Sequence, residues 1–229
     1  MNTPTKRDLF VVVADLDAQN VIRTLLQQRQ EALEIKLKFA DEDLLRYAGR
    51  DPGCLKDGVE ILRPVQRSHQ RALIIFDYLG SGASEETPVP DLEKAIEKKL
   101  IGSGWAQDCA AAVVIDPELE AWVWSGSPHV PQVLGWHGGP GELRQYLARG
   151  GYWPAGSAKP PDPKAAMKAA VRKVRQPLVS SLFSDLAETV GVRGCTDRAF
   201  MKFASTLKGW FSAGGPAATG FDASDGEEP

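Results

Sequence analysis

The stretch Leu9-Phe10-Val11-Val12-Val13-Ala14, followed by Asp15-Leu16-Asp17, decides the fold. An unbroken apolar run rich in β-branched residues suits a strand buried on both faces, the signature of a parallel sheet. A strand with one wet face would alternate instead. After the acidic turn, Val21, Ile22, Leu25 and Leu26 repeat at helical spacing through Gln30, and Asp17 is placed to cap that helix.

The pattern continues outward from there. Over 34–39, Ile35, Leu37 and Phe39 alternate with Lys36 and Lys38, which predicts a strand with one wet face. A short helix is expected from about Asp41 to Gly49, and Asp51-Pro52-Gly53 reads as a turn. Val59, Ile61, Leu62 and Val65 mark an apolar face that Pro64 would interrupt. Residues 71–77 form a second buried strand ending in Asp77, and residues 80–90 a Gly-, Ser- and Pro-rich loop. A helix over 91–101 is stopped by Gly102-Ser103-Gly104. A third buried strand over 109–115 leads into Asp116-Pro117-Glu118-Leu119-Glu120-Ala121-Trp122, where a helix is expected to start with Pro in its first turn. Strands alternating with helices predict an α/β fold with a mainly parallel sheet flanked by helices. Residues 1–126 are expected to form this core and 127–211 a helical extension packed on it. Within the extension, short helices fall near 127–136 and 142–147, a linker over 150–163 and longer helical pattern over 164–211. Residues 212–229 are expected to be a disordered acidic tail.

Composition narrows the function classes. Among 229 residues, 43% are hydrophobic and 25% charged, enough for a core without disulfide or metal staples. A net charge of −3 excludes a globally basic nucleic-acid coat and leaves local basic patches open. No apolar run reaches the roughly 18 residues of a membrane span, and the polar start of the chain does not read as a signal peptide. Cys54, Cys109 and Cys195 are odd in number and far apart, which argues against disulfide or zinc frameworks and for a reducing cytoplasm.

Sites in parallel sheets lie at the carboxyl ends of the strands. Three such ends carry acids here: Asp15 with Asp17, Asp77, and Asp116 with Glu118 and Glu120. Converging carboxylates suit Mg²⁺ or Mn²⁺, and a pair of such ions can activate water and steady a leaving phosphate oxygen. Each acid alone also has an ordinary role as a helix cap or first-turn residue. Other motifs offer less. Gly80-Ser81-Gly82 and Gly102-Ser103-Gly104 fit no phosphate-binding loop, His69, His129 and His137 lack zinc spacing, and no nucleophile elbow is present. Trp122, Trp124, Trp136 and Trp153 are core or interface anchors, or a stacking platform for single-stranded nucleic acid. Lys164, Lys168, Arg172, Lys173 and Arg175 make a cationic helix face, either solvated or meeting phosphate or an acidic partner.

The segment Pro117-Glu118-Leu119-Glu120-Ala121-Trp122 after a strand resembles the P-E-x-E-A-W segment of bacterial TOPRIM-like proteins from defence islands. These are small relatives of the nuclease domains in overcoming-lysogenization-defect and RloB-like proteins, and the order of elements from 9 to 126 agrees with them. Asp162-Pro163-Lys164-Ala165-Ala166, Ser181-Leu182-Phe183-Ser184-Asp185-Leu186-Ala187 and Arg198-Ala199-Phe200 also resemble this group, most of all a small accessory protein of the methylation-associated defence system. The resemblance makes Asp77 and Glu120 the best-matched acids and implies Mg²⁺ as the ion they would hold. Two departures degrade the pattern. The glutamate expected after the first strand falls on Ala14, or on Asp15 one register away, and the expected Asp-x-Asp is Asp77-Tyr78-Leu79. The expected function is therefore a cytoplasmic antiviral-defence component with a degenerate acidic site, without a cofactor or with weakly held Mg²⁺. It would bind other defence-system proteins or nucleic acid. The alternative is a Mg²⁺-dependent nuclease in which Asp15, Asp17, Asp116 and Glu118 remodel the cluster. DNA against RNA and the oligomeric state stay open.

Overall fold

The computed structural model describes residues 5–124 and 127–212; beyond Ser212, the expected tail lies outside the described residues. Four strands, β1 (Arg7–Val13), β2 (Leu44–Arg46), β3 (His69–Asp77) and β4 (Ala110–Ile115), form one all-parallel sheet in the order β2-β1-β3-β4. The runs expected from the sequence are the three long strands. Val12 lies opposite Leu45 and Ile74, and Ile74 opposite Ala112.

Successive strand residues face opposite sides of a sheet. Val11, Val13, Leu73, Ile75, Val113 and Ile115 enter one core layer, and Val12, Ala72, Ile74, Phe76, Ala112 and Val114 the other. The second layer is closed by α2 (Arg50–Leu62) and α3 (Val89–Gly102). Gly58 lets α2 lie close, since a Cβ there would stand 2.9 Å from Ile74 Cδ1. The first layer is closed by α1 (Leu16–Gln28) and by the later helices. These are α4 (His129–Val133), α5 (Pro140–Arg149), α6 (Pro163–Lys173), α7 (Ser180–Thr189) and α8 (Arg198–Phe211). Leu147, Met167, Phe183 and Phe203 share this core with Ile22 and Leu73, so the helical region and the sheet bury one continuous apolar body. The α/β architecture, a parallel sheet between helices, is consistent with a TOPRIM-like fold.

Four local expectations are corrected. Residues 34–39 make no sheet strand: Ile35 and Leu37 are buried and Lys36 and Lys38 exposed, but the segment runs against the end of α8 through an Ile35–Ser212 bridge and a 2.8 Å Lys36 N to Phe211 O bond. Where the helix of 41–49 was expected, one 3₁₀ turn (Asp41–Asp43) precedes β2. Asp51-Pro52-Gly53 belongs to the first turn of α2, where the missing proline N–H costs nothing. After Asp116 only a 3₁₀ turn, Leu119–Trp122, forms.

The outer edge of β4 is closed by charge. Val114 N donates to Glu93 Oε1 at 2.8 Å, Ala112 N to Glu97 Oε1 at 3.2 Å, and Arg198 Nη2 to Val114 O at 2.6 Å. An open edge would present these groups for pairing with another chain. Among the described residues, no helix is long and apolar enough to cross a membrane.

Candidate functional site

The carboxyl ends of the strands converge. Asp15, not Asp17, caps α1: Ala18 N donates to Asp15 Oδ1 at 2.8 Å. Asp77 ends β3, and the chain beyond it stays beside the β4 exit, with Tyr78 N bonded to Ile115 O at 2.7 Å and Leu79 N to Pro117 O at 2.9 Å. That pairing brings Asp77 to Glu118 and Glu120, and one oxygen of each lies within 4.8 Å of the others. Glu118 and Glu120 are buried, Asp77 half-buried.

Two further charges complete the site. Asp51, in the first turn of α2, accepts the Asp77 N–H at 2.8 Å. Lys164, in the first turn of α6, puts its Nζ 2.7 Å from Glu118 Oε2 and 3.4 Å from Glu120 Oε1. Its helix is held in place by Asp162, which caps α6, and by Trp124 Nε1, which donates to Pro163 O at 3.0 Å. Lys159 Nζ bridges Ala121 O and Asp197 Oδ2, tying the 3₁₀ turn to the cap of α8.

The acids repel one another in a poorly hydrated place. Burial first, then the charges of Asp51, Glu120 and Asp15, push the Asp77 carboxyl well above the usual carboxylate range, with Lys164 pulling back. Burial also raises Glu120, opposed by Lys164, and raises Asp51, joined by the charge of Asp15. For Lys164, burial works against the charged form, but the Glu118, Glu120 and Asp77 carboxylates outweigh it and hold the proton on.

Other expected residues lie elsewhere. Asp17 turns toward α7, where a hydrogen bond with Ser180 partly offsets the rise that burial causes. Asp116 is exposed and stands outside the three-carboxylate group. Lys168, Arg172, Lys173 and Arg175 are exposed, whereas Lys164 is turned into the acids. His69 is buried on Asp43 at 3.0 Å, and His129 and His137 are exposed. Trp122 packs edge-on against Phe200, Trp124 against Trp153, and Trp136 tilts onto Tyr146.

Sequence reading missed Asp51 and the inward role of Lys164. Asp51 follows β2, so reading that strand would have exposed a fourth acid-bearing strand end. The donor set fits a hard divalent cation, which takes carboxylate oxygens. Two ligands of one Mg²⁺ at about 2.1 Å lie at most about 4.2 Å apart, so oxygens spread over as much as 4.8 Å would have to draw together to share an ion. No family model, curated protein or solved structure matches this chain.

Proposed function

We propose that this chain is a TOPRIM-like component of a bacterial antiviral defence system that acts by binding other proteins of the system or nucleic acid, its acidic site being degenerate. The observation that carries this reading is Lys164, a built-in cation against Glu118 and Glu120. Two-ion hydrolysis needs carboxylates that fix both ions about 4 Å apart. Ala14 is buried in the core, Leu79 is 61% exposed and offers no ligand oxygen, and an Asp15 oxygen is engaged in capping α1. Asp77, Glu118 and Glu120 remain, enough for one Mg²⁺. The exposed Lys168 and Arg172 continue along α6 from Lys164 at helical spacing and suit phosphate.

A Mg²⁺-dependent nuclease is the second reading. It is favoured by the acid excess, in which Asp15, Asp51, Asp77, Glu118 and Glu120 face Lys164 alone among the charges that act on Asp77 and Glu120. Asp77, Glu118 and Glu120 would hold the ion, which when bound would polarise a phosphodiester and activate water. Titration calorimetry with Mg²⁺ and Mn²⁺, paired with cleavage assays on single- and double-stranded DNA and RNA, separates the readings. Weak ion binding and no more than trace cleavage are expected. Robust cleavage abolished by both Asp77→Ala and Glu120→Ala would overturn the binding reading in favour of the nuclease.

A further inference from the structure

A second concavity lies away from the acids. Trp124, Pro131, Leu143 and Trp153 wall a cavity of about 320 Å³ between α4, α5 and the chain at 153, with Arg144 and Ser127 as its polar groups. Small-molecule sites are commonly concave, largely apolar, and carry a few fixed polar groups in a volume of about 300–1,000 Å³. Arg144 is such a group. Its guanidinium carbon stands 4.0 Å from the centroid of the Trp153 ring, and it donates to the carbonyls of Trp153, Pro154 and Ser157 at 3.0–3.1 Å. These neutral acceptors fix the group without cancelling its charge, and among the described residues no carboxylate pairs with it. A guanidinium beside an apolar wall suits an anion carried on a ring, because the charge-assisted hydrogen bond and the apolar contact can form together.

We propose that this cavity binds a small aromatic molecule carrying an anionic group, with the ring against the tryptophan, proline and leucine wall and the anion on Arg144. The site is distinct from the acidic cluster and does not depend on its function. A nucleotide and a free aromatic acid share this chemistry, and the binding assay tells them apart.

The full chain is titrated with adenosine 5′-monophosphate, with indole-3-acetate and with uncharged adenosine, following tryptophan fluorescence and calorimetry. Saturable binding of either anion is expected, with adenosine at least tenfold weaker than its monophosphate if the nucleotide binds. Preference for one anion over the other assigns the source. Gly141 lines the cavity, and a Cβ there would meet nothing within 4 Å, so Gly141→Tyr adds bulk at the lining with no clash at its Cβ. It should weaken binding at least tenfold with an unchanged melting curve. Arg144→Gln should weaken the anions more than adenosine; if it instead loosens the 153–157 loop, Gly141→Tyr still decides. The proposal is overturned if neither anion binds saturably at millimolar concentration, if adenosine binds as tightly as its monophosphate, or if Gly141→Tyr leaves anion binding unchanged. In those cases Arg144 serves only to staple its loop.

Discussion

The Asp77 amide donates to the Asp51 carboxylate across 2.8 Å, which fixes an acid from the start of α2 against the acid at the end of β3. Two acids that follow different strands are thus held together because the side chain of one accepts from the backbone N–H of the other. The arrangement satisfies a strand-end N–H and at the same time concentrates negative charge beside Glu118 and Glu120.

That concentration should cost stability. The Asp77 carboxyl is raised in the folded state by burial first and by its acidic neighbours second, from an ordinary value of 3.8. The folded chain therefore holds a proton that the unfolded chain has released once the pH passes about 4, and stability falls with pH from there up to the folded-state value. Asp77→Asn removes the penalty. It should raise the Tm at neutral pH by about 2–4 °C for each kcal/mol relieved, and the advantage should fade as the pH drops below about 4. A melting series from acid to neutral pH checks this; a gain largest in acid would contradict it.

The charged cover of the β4 edge makes a second expectation. Glu93 is 2% exposed and is held by Arg198 at 2.8 Å and Lys202 at 3.2 Å. Removing one partner of a buried pair typically costs about 3–5 kcal/mol. Because Arg198 is 40% exposed and Lys202 remains on Glu93, Arg198→Met should cost less, about 1–2 kcal/mol in urea unfolding. It also frees the Val114 carbonyl, so light scattering should show a greater tendency to self-associate.

Cys54 should be chemically silent in the folded protein. Burial, then the charges of Asp51 and Asp15, push its thiol up to about 12. The thiolate is the reactive form. At pH 8, mass spectrometry after treatment with a thiol reagent should find Cys54 unmodified until urea unfolds the chain. Early labelling at Cys54 would show that α2 opens locally.

The sheet and the C-terminal helices should melt together. Phe203 is fully buried in the same core as Leu73 and Ile75. Phe203→Ala should cost about 3–5 kcal/mol and lower the Tm in one calorimetric transition. Two resolved transitions would mean that the helical region unfolds on its own.

The three long strands could be read directly from the chain, because 9–14, 72–76 and 110–115 are apolar without interruption and only burial on both faces accommodates that. The same runs located three of the strand ends and hence Asp77, Glu118 and Glu120. The sequence pattern misled where elements are short or their partners distant. β2 has three residues, too few to show a period, and the alternation at 34–39 was real but its partner was the end of α8. Asp51, Asp77 and Lys164 are separated by 26 and 87 residues, and no local rule brings them together. What joins them is the β2-β1-β3-β4 order, which sets the start of α2 beside the end of β3, and the packing of α6 against the turn that carries Glu118 and Glu120. Apolar periodicity is a local property and survives in the sequence; electrostatic convergence depends on tertiary neighbours and exists only once the chain has folded.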